Sequence, residues 1–367
     1  MVRTTMTQPA SSGVVVGVDT HKDAHVARAK DALGRRVGEQ LVTTTPAGHR
    51  QLLAWAHGLG EVAAFGVEGT GSYGAGLARY LRSEGEVVIE VIRPNRQARR
   101  RNGKSDPADA DAAASAVLSG DAAGLPKGAD GQVEMIRTLR VARSTAVKAR
   151  TQAVNALKAL VVTAPADLRE QLRASSTARL VYACARLRPG ELVDPTAATK
   201  VALRSLATRH EALEAELERL DAALARLVGE AAPELVARFG VGPDSAGALL
   251  VAAGDNPGRL RSEAAFAMLC GASPIEASSG KIARHRLNRG GDRQANAALY
   301  HVVMSRLRWD KRTQEYMARR TAEGRTKREV IRCLKRYIAR EIYLALQLAL
   351  KGMASDRVTT TLAHEVA

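Results

Sequence analysis

The chain has 367 residues, 46% of them hydrophobic, with 55 Lys and Arg against 38 Asp and Glu, a formal charge of +17 at pH 7. That length and apolar share fit two or three domains with real cores and exclude global disorder, and the charge calls for a polyanionic partner, nucleic acid first of all. Aromatics at 3% argue against a base-stacking single-strand barrel, and no apolar run of about 18 residues offers a membrane span. Met1 to Gly13 is polar and has no signal-peptide core. Cys184, Cys270 and Cys333 stand far apart, which excludes a zinc ribbon, argues against a disulfide scaffold and suits a reducing cytoplasm.

Residues 1–12 read as a flexible tail. Val14 to Val18 is a continuous β-branched run ending at Asp19, as a strand covered on both faces reads. His25–Ala29 and Gln40–Thr43 suit two further strands. Thr45-Pro46 is an N-cap with Pro at the first helical position, opening a helix that carries Leu52, Leu53 and Trp55. Val62–Val67 is another buried strand, ending at Glu68. The turn Gly69-Thr70-Gly71-Ser72-Tyr73-Gly74 follows, then a helix with Leu77, Tyr80 and Leu81, a fifth strand over Glu86–Ile92, and a helix from near Pro107. The order predicts an α/β domain with a mixed sheet over 13–125.

From 126 to 232 the pattern is helical. Val133–Val162 carries Arg137, Arg140, Arg143, Lys148, Arg150 and Lys158 among apolar residues. Leu206, Leu213, Leu217, Leu220, Leu224 and Leu227, with His210 in the gap, make a heptad seam that serves either a hairpin within the chain or a dimer. The last part, 233–353, is predicted mostly helical. Phe239-Gly240-Val241-Gly242-Pro243-Asp244-Ser245-Ala246 has the pattern of a helix-hairpin-helix turn, in which glycines let backbone N–H groups approach a phosphate; a plain interhelical turn has the same pattern. Arg328–Leu350 is a basic amphipathic helix, and 354–367 reads as a tail.

Four carboxylates occupy informative places. Asp19 and Glu68 end strands, and Asp106 and Asp109, three residues apart, share a face at the start of the next helix. Each alone has an ordinary structural use, as a strand-end acceptor or a helix N-terminal charge. Gathered together they would need cations, and oxygen ligands suit Mg²⁺ or Mn²⁺, ions that assist phosphoryl transfer. Asp111, two residues past Asp109, faces elsewhere and is a second choice. Upstream, Arg93 to Lys104 holds six cations and no acid; Arg96, Arg99, Arg100, Arg101 and Lys104 are candidate backbone contacts for a nucleic acid.

The second segment with chemistry runs from Cys270 through Ser273, Ser278, Ser279, Gly280 and Lys281 into Arg284, Arg286, Arg289 and Arg293. It lacks the spacing of a Walker A loop. A serine here serves either as a hydrogen-bond donor to phosphate or as a nucleophile, which needs a base or metal and cations around the pentavalent phosphate. Lys281, Arg284, Arg286, Arg289 and Arg293 supply the cations.

Gly17-Val18-Asp19-Thr20-His21-Lys22-Asp23, Val67-Glu68-Gly69-Thr70-Gly71-Ser72-Tyr73-Gly74, Lys104-Ser105-Asp106-Pro107-Ala108-Asp109-Ala110, Phe239-Gly240-Val241-Gly242-Pro243 and Ala277-Ser278-Ser279-Gly280-Lys281 occur in this order over nearly the whole chain. The set resembles the DEDD-type transposases of bacterial insertion sequences, bridge-RNA-guided recombinases related to the Piv/MooV DNA invertases. That resemblance implies a RuvC-like, RNase H-type N-terminal domain, a coiled-coil middle and a C-terminal transposase domain. It implies Asp19, Glu68, Asp106 and Asp109 as the metal ligands, and Ser279, directly before glycine, as the nucleophile forming a phosphoserine with DNA, with Ser278 as second choice. It further implies element-end and target DNA, a structured bridge RNA, a homo-oligomer (dimer or tetramer) with composite sites, and a nucleoid-associated place in a bacterial cytoplasm. The run after the serine departs from a Lys-Arg-Gly-Asn type, so the roles of Arg284, Arg286, Arg289 and Arg293 stay open.

Three other readings compete. A metal-dependent nuclease or junction resolvase on the same fold would use water as nucleophile and would not need the serine segment. An actin-like sugar kinase is faintly echoed by Gly17-Val18-Asp19-Thr20 and the Gly-Thr-Gly-Ser turn, but needs a duplicated domain, and no repeat is present. A non-catalytic architectural protein predicts no dependence on Mg²⁺.

Overall fold

The computed structural model describes residues 13–91, 105–173, 176–256, 258–280, 282 and 285–365, with side chains as far as Met353. The chain makes two compact units, one holding the residues up to Gly131 plus Ala253–Arg261, the other Gln132–Ala252 with Ser262 onward. The helical middle and the C-terminal part, divided at 232 in the sequence, fall in one unit. No described helix is long and apolar enough to cross a membrane.

The first unit is a five-stranded mixed sheet. Its strands are β1 (Val14–Thr20), β2 (Ala24–Lys30), β3 (Arg36–Thr43), β4 (Val62–Glu68) and β5 (Val88–Val91), in the order β3-β2-β1-β4-β5. β1 runs antiparallel to β2 and parallel to β4. Every residue of β1 is buried, because helices cover both faces of the sheet. On one face, α1 (Pro46–Gly58) and α2 (Ala75–Ser83) close a core of Val16, Val18, Leu52, Phe65, Leu77 and Leu81. Thr45 caps α1 by accepting from Gly48 N at 3.1 Å, with Pro46 in the first turn. On the other face, α3 (Asp106–Leu118) packs Ala113, Ala114 and Val117 against Val15, Ala64 and Val91. β3 starts four residues before its expected position, since its first half is charged; Arg28 pairs Glu39 across the strands at 2.7 Å. β5 is shorter than predicted: Glu86 is spent closing the turn after α2, its N–H on Leu81 O, and Ile92 lies outside the described residues.

His25 of β2 is fully buried and stacks on His49 at 5.8 Å between centroids, which in turn stacks on Tyr80. Burial, helped by His49 and His21, pulls the His25 pKa down from 6.5 to about 4. Unfolding releases it to its ordinary value, so between pH 6.5 and 4 the unfolded chain binds a proton the folded one does not. Stability is therefore complete above pH 6.5 and falls by about 3 kcal/mol on the way to pH 4. We expect His25→Phe to flatten this slope. The urea midpoint at pH 7 and 4.5, followed by Trp55 fluorescence with Trp309 replaced by Phe, measures it; an unchanged slope would refute the assignment.

In the second unit α4 (Gln132–Thr163) lies against α7 (Pro195–Ala231). Arg143 pairs with Asp221 and Arg150 with Glu214, so the two helices run antiparallel. Asp194 caps α7, accepting from Ala197 N at 2.7 Å. Of the heptad leucines, Leu217, Leu224 and Leu227 are buried while Leu206, Leu213 and Leu220 are half-buried. The seam is thus packed within the chain. The short helices α5 (Ala166–Gln171) and α6 (Thr177–Ala185) cluster Leu168, Leu180 and Cys184 with Leu157 and Leu203.

The remainder comprises α8 (Pro233–Val236), α9 (Pro243–Ala253), α10 (Glu263–Leu269), the hairpin β6 (Ile275–Glu276) and β7 (His285–Arg286), α11 (Arg293–Trp309), α12 (Lys311–Ala322) and α13 (Lys327–Glu365). α13 buries Val330, Leu334, Ile338, Ile342, Leu346 and Leu350, the spacing of one helix face. It continues to Glu365, past the expected helix end at Leu350 and through most of the stretch expected to be a tail. The turn at Phe239–Gly242 follows a helix of only four residues, and Phe239 O accepts from Arg306 Nε at 2.9 Å, so α11 covers part of it. Cys184 and Cys270 are buried free thiols with pKa pushed up by burial to about 11 and about 12, and so are poor nucleophiles.

Candidate active site

Strand alternation decides which acids meet. A Cβ on Gly17 would lie 2.1 Å from Ala110 O and 2.3 Å from Ala114 N, and one on Gly66 2.7 Å from Val117 Cγ2. Gly17 and Gly66 are register partners on β1 and β4 and both face α3. Side chains repeat every second residue along a strand, so Asp19 and Glu68, each two residues further on, point to that same face at the same end of the sheet. α3 begins there, with Asp106 and Asp109 in its first turn. Asp19 and Asp109 are buried, Glu68 is half-buried and Asp106 is exposed. Thr20 Oγ1 donates to Glu68 O at 2.8 Å and ties the two strand ends together.

The turn after Glu68 is built for the same end. Gly69 has φ 68, and its carbonyl accepts from Ser72 N and Gly74 N at 2.8 and 3.1 Å. The buried Thr70 donates to Glu90 Oε1 at 2.7 Å. Glu90 also pairs with Arg259 at 3.5 Å, a residue of the 253–261 segment that belongs to this unit.

His21 was not singled out from the sequence, because nothing in its spacing tells on which side of β1 the turn will carry it. In the fold its Nδ1 lies 3.8 Å from Asp19 Oδ2 and its Nε2 3.8 Å from Asp106 Oδ1. Ligand atoms of Asp19, His21 and Asp106 all fall within 4.8 Å of one another. Two carboxylates and an imidazole fit a divalent cation. Imidazole is a poorer partner for Mg²⁺ than for transition ions. Asp111 is engaged elsewhere, with Lys30 Nζ at 2.8 Å and Arg36 at 3.5 Å. The candidate contacts Arg96, Arg99, Arg100, Arg101 and Lys104 lie outside the described residues.

The serine segment is a β-hairpin in the second unit. Ile275 pairs with Arg286 and Glu276 with His285. At the tip Ser279 and Ile282 exchange both backbone hydrogen bonds at 3.1 Å, and Gly280 takes φ 57, which favours glycine. Ser278 and Ser279 are exposed. The base of the hairpin is rigid: Asn288 Nδ2 donates to Met268 O at 2.9 Å, Asn296 Nδ2 to Cys270 O at 2.7 Å, and Asp292 N to Leu269 O at 2.6 Å. The fixed base holds a tip whose serine hydroxyls are open to solvent. Arg286, Arg289 and Arg293 are exposed beside it; Lys281 and Arg284 lie outside the described residues.

A search of curated proteins finds no match. Two family profiles do match. One, described as "Transposase" and of the DEDD type, covers residues 16–164. The other, "Transposase IS116/IS110/IS902 family", covers residues 234–318. The first spans all four acids and the second spans the serine hairpin. The chain therefore belongs to the DEDD-type transposases of the IS116/IS110/IS902 insertion-sequence family.

Proposed function

We propose that the protein cuts and rejoins insertion-sequence DNA with Ser279 as nucleophile, assisted by a cation held at Asp19, Glu68, Asp106 and Asp109. The observation that carries this reading is the convergence of Asp19, His21 and Asp106, with ligand atoms within 4.8 Å, in a chain that matches both transposase profiles. The strand order β3-β2-β1-β4-β5, with β2 antiparallel to β1, supports an RNase H-type, RuvC-like domain. A Mg²⁺ or Mn²⁺ ion at those acids supplies charge to the reacting phosphate. His21 completes the donor set and favours Mn²⁺ among the two.

In the serine step Oγ attacks phosphorus. An Oγ–P bond forms, one bridging P–O bond breaks, the serine proton is lost and the departing deoxyribose oxygen takes one up. Arg286, Arg289 and Arg293 stabilise the added negative charge. A free deoxyribose hydroxyl then attacks the phosphoserine and restores Oγ–H. The partners in this reading are element-end and target DNA, a structured bridge RNA, and further copies of the chain as a dimer or tetramer, at the nucleoid of a bacterial cytoplasm. The acids lie in 13–125, the helical middle in 126–232 and the serine in 233–353.

The test is a trap for covalent protein–DNA adducts on a denaturing gel, with Mg²⁺ or Mn²⁺, element-end DNA and RNA from the flanking non-coding region. Wild type should give an adduct that Ser279→Ala and Asp106→Ala both abolish. Loss only in Ser278→Ala would move the nucleophile by one residue. Cleavage without an adduct would replace the serine step by attack of water. Equal activity without RNA would remove the guide.

A further inference from the structure

We propose that the cavity behind the serine hairpin binds one or two unpaired nucleotides, held by Arg332 and Lys335 and stacked on Tyr337. Which strand is delivered there rests on the transposase reading, but the binding requires no chemistry.

The cavity measures about 940 Å³ and lies between the hairpin and the last helices. Small-ligand pockets run to roughly 1,000 Å³, so this one is of a size for a nucleotide or two. Arg286 and Arg289 come from the hairpin side, Arg293 from the start of α11, and Arg332, Lys335 and Tyr337 from α13. Arg286, Arg289 and Arg293 form no ion pair with an acid among the described residues, and Arg332 acts on the Glu329 carboxylate only as a nearby charge. Glu329, the carboxylate on the wall, is already taken. It accepts from Thr326 N and Oγ1 at 2.9 and 2.8 Å and pairs with Arg325.

Lys335 is positioned rather than loose. Its Nζ donates to Asn296 Oδ1 at 2.9 Å, while the Asn296 amide nitrogen is held by Cys270 O. Burial and the nearby Arg332 charge lower the Lys335 pKa from its ordinary value. Cations outnumber carboxylates on this wall, so they repel one another, and an anion relieves that repulsion. The anion has a ring as well as a charge: Tyr337 is 56% exposed and lies perpendicular to Tyr316, 5.8 Å between centroids and 86° between planes. Its orientation is set by the partner ring, and the face left over suits a base, which stacks whatever its identity. Phosphate-binding cations around an exposed aromatic ring in a concave site select unpaired over paired nucleic acid. The sequence pointed to the hairpin arginines; it could not show that α13 supplies the opposite wall.

The experiment is fluorescence anisotropy of the full chain with short oligothymidylate, short oligouridylate and a duplex of mixed sequence, over a salt series. Arg332→Gln/Lys335→Gln should weaken single-strand binding about tenfold and make the log–log salt slope shallower by about 1.4, two phosphates' worth. Duplex binding should change less than about twofold. Tyr337→Leu should weaken single-strand binding several-fold at unchanged salt slope, and Tyr337→Phe should restore it. Loss confined to the DNA or the RNA strand supports the site and names its source. Equal loss for duplex and single strands, or no loss in the double variant and in Tyr337→Leu, overturns it. Ser279→Ala should bind like wild type, so a failed serine mechanism leaves this result standing.

Discussion

Gly17→Val should abolish adduct formation and lower the stability of the α/β unit by about 3 kcal/mol or more, beyond the usual range for a forced extra side chain. The new Cβ would stand 2.1 Å from Ala110 O and 2.3 Å from Ala114 N. Both are backbone atoms of α3, so no side-chain rotation relieves the clash and the helix itself must lift. α3 carries Asp106 and Asp109 in its first turn. A displacement of about 1 Å at reacting groups costs on the order of a hundredfold in rate, and here two of the four acids move together. Gly71→Ala is the control, since a Cβ there meets nothing within 4 Å; it should stay within about 0.5 kcal/mol of wild type. Thermal melting and the adduct gel read both variants. A Gly17→Val protein with wild-type melting and wild-type adduct yield would mean that α3 does not seat the acids.

Asp19→Asn should remove the response to divalent cations. Asp19 is buried, and its carboxylate faces His21 and Asp106. Mn²⁺ at about one hundred times its dissociation constant should stabilise the wild type by about 2.7 kcal/mol. The variant should show almost none of this, because an amide is a weak ligand in place of a carboxylate. Its adduct yield should fall by on the order of a thousandfold, and a chelator should do the same to the wild type. Mn²⁺ titrations followed by melting temperature give the first number directly. Equal Mn²⁺ stabilisation in Asp19→Asn would place the cation elsewhere.

Several elements were legible because one local pattern dictated them. β1 and β4 are unbroken apolar runs because both faces are covered, and each stops at an acid. Thr45-Pro46 caps α1 as its chemistry requires. The three-residue spacing of Asp106 and Asp109 places both in the first turn of α3. β3 was half missed because an edge strand with Arg36 and Glu39 has no hydrophobic periodicity to read. The serine hairpin was missed because β6 and β7 are two residues each, too short for any pattern.

The charge, the buried strands, the acids at their ends and the serine before a glycine are legible in the chain alone, since each follows from residue type and spacing of a few positions. It takes the folded chain to place His21 between Asp19 and Asp106, to pair Asp111 with Lys30, to pack the heptad seam of α7 on α4 of the same chain, and to make α13 the wall of a cationic cavity beside the hairpin. Each of these depends on which distant segments pack together, and packing is set by the summed burial of many side chains rather than by any motif.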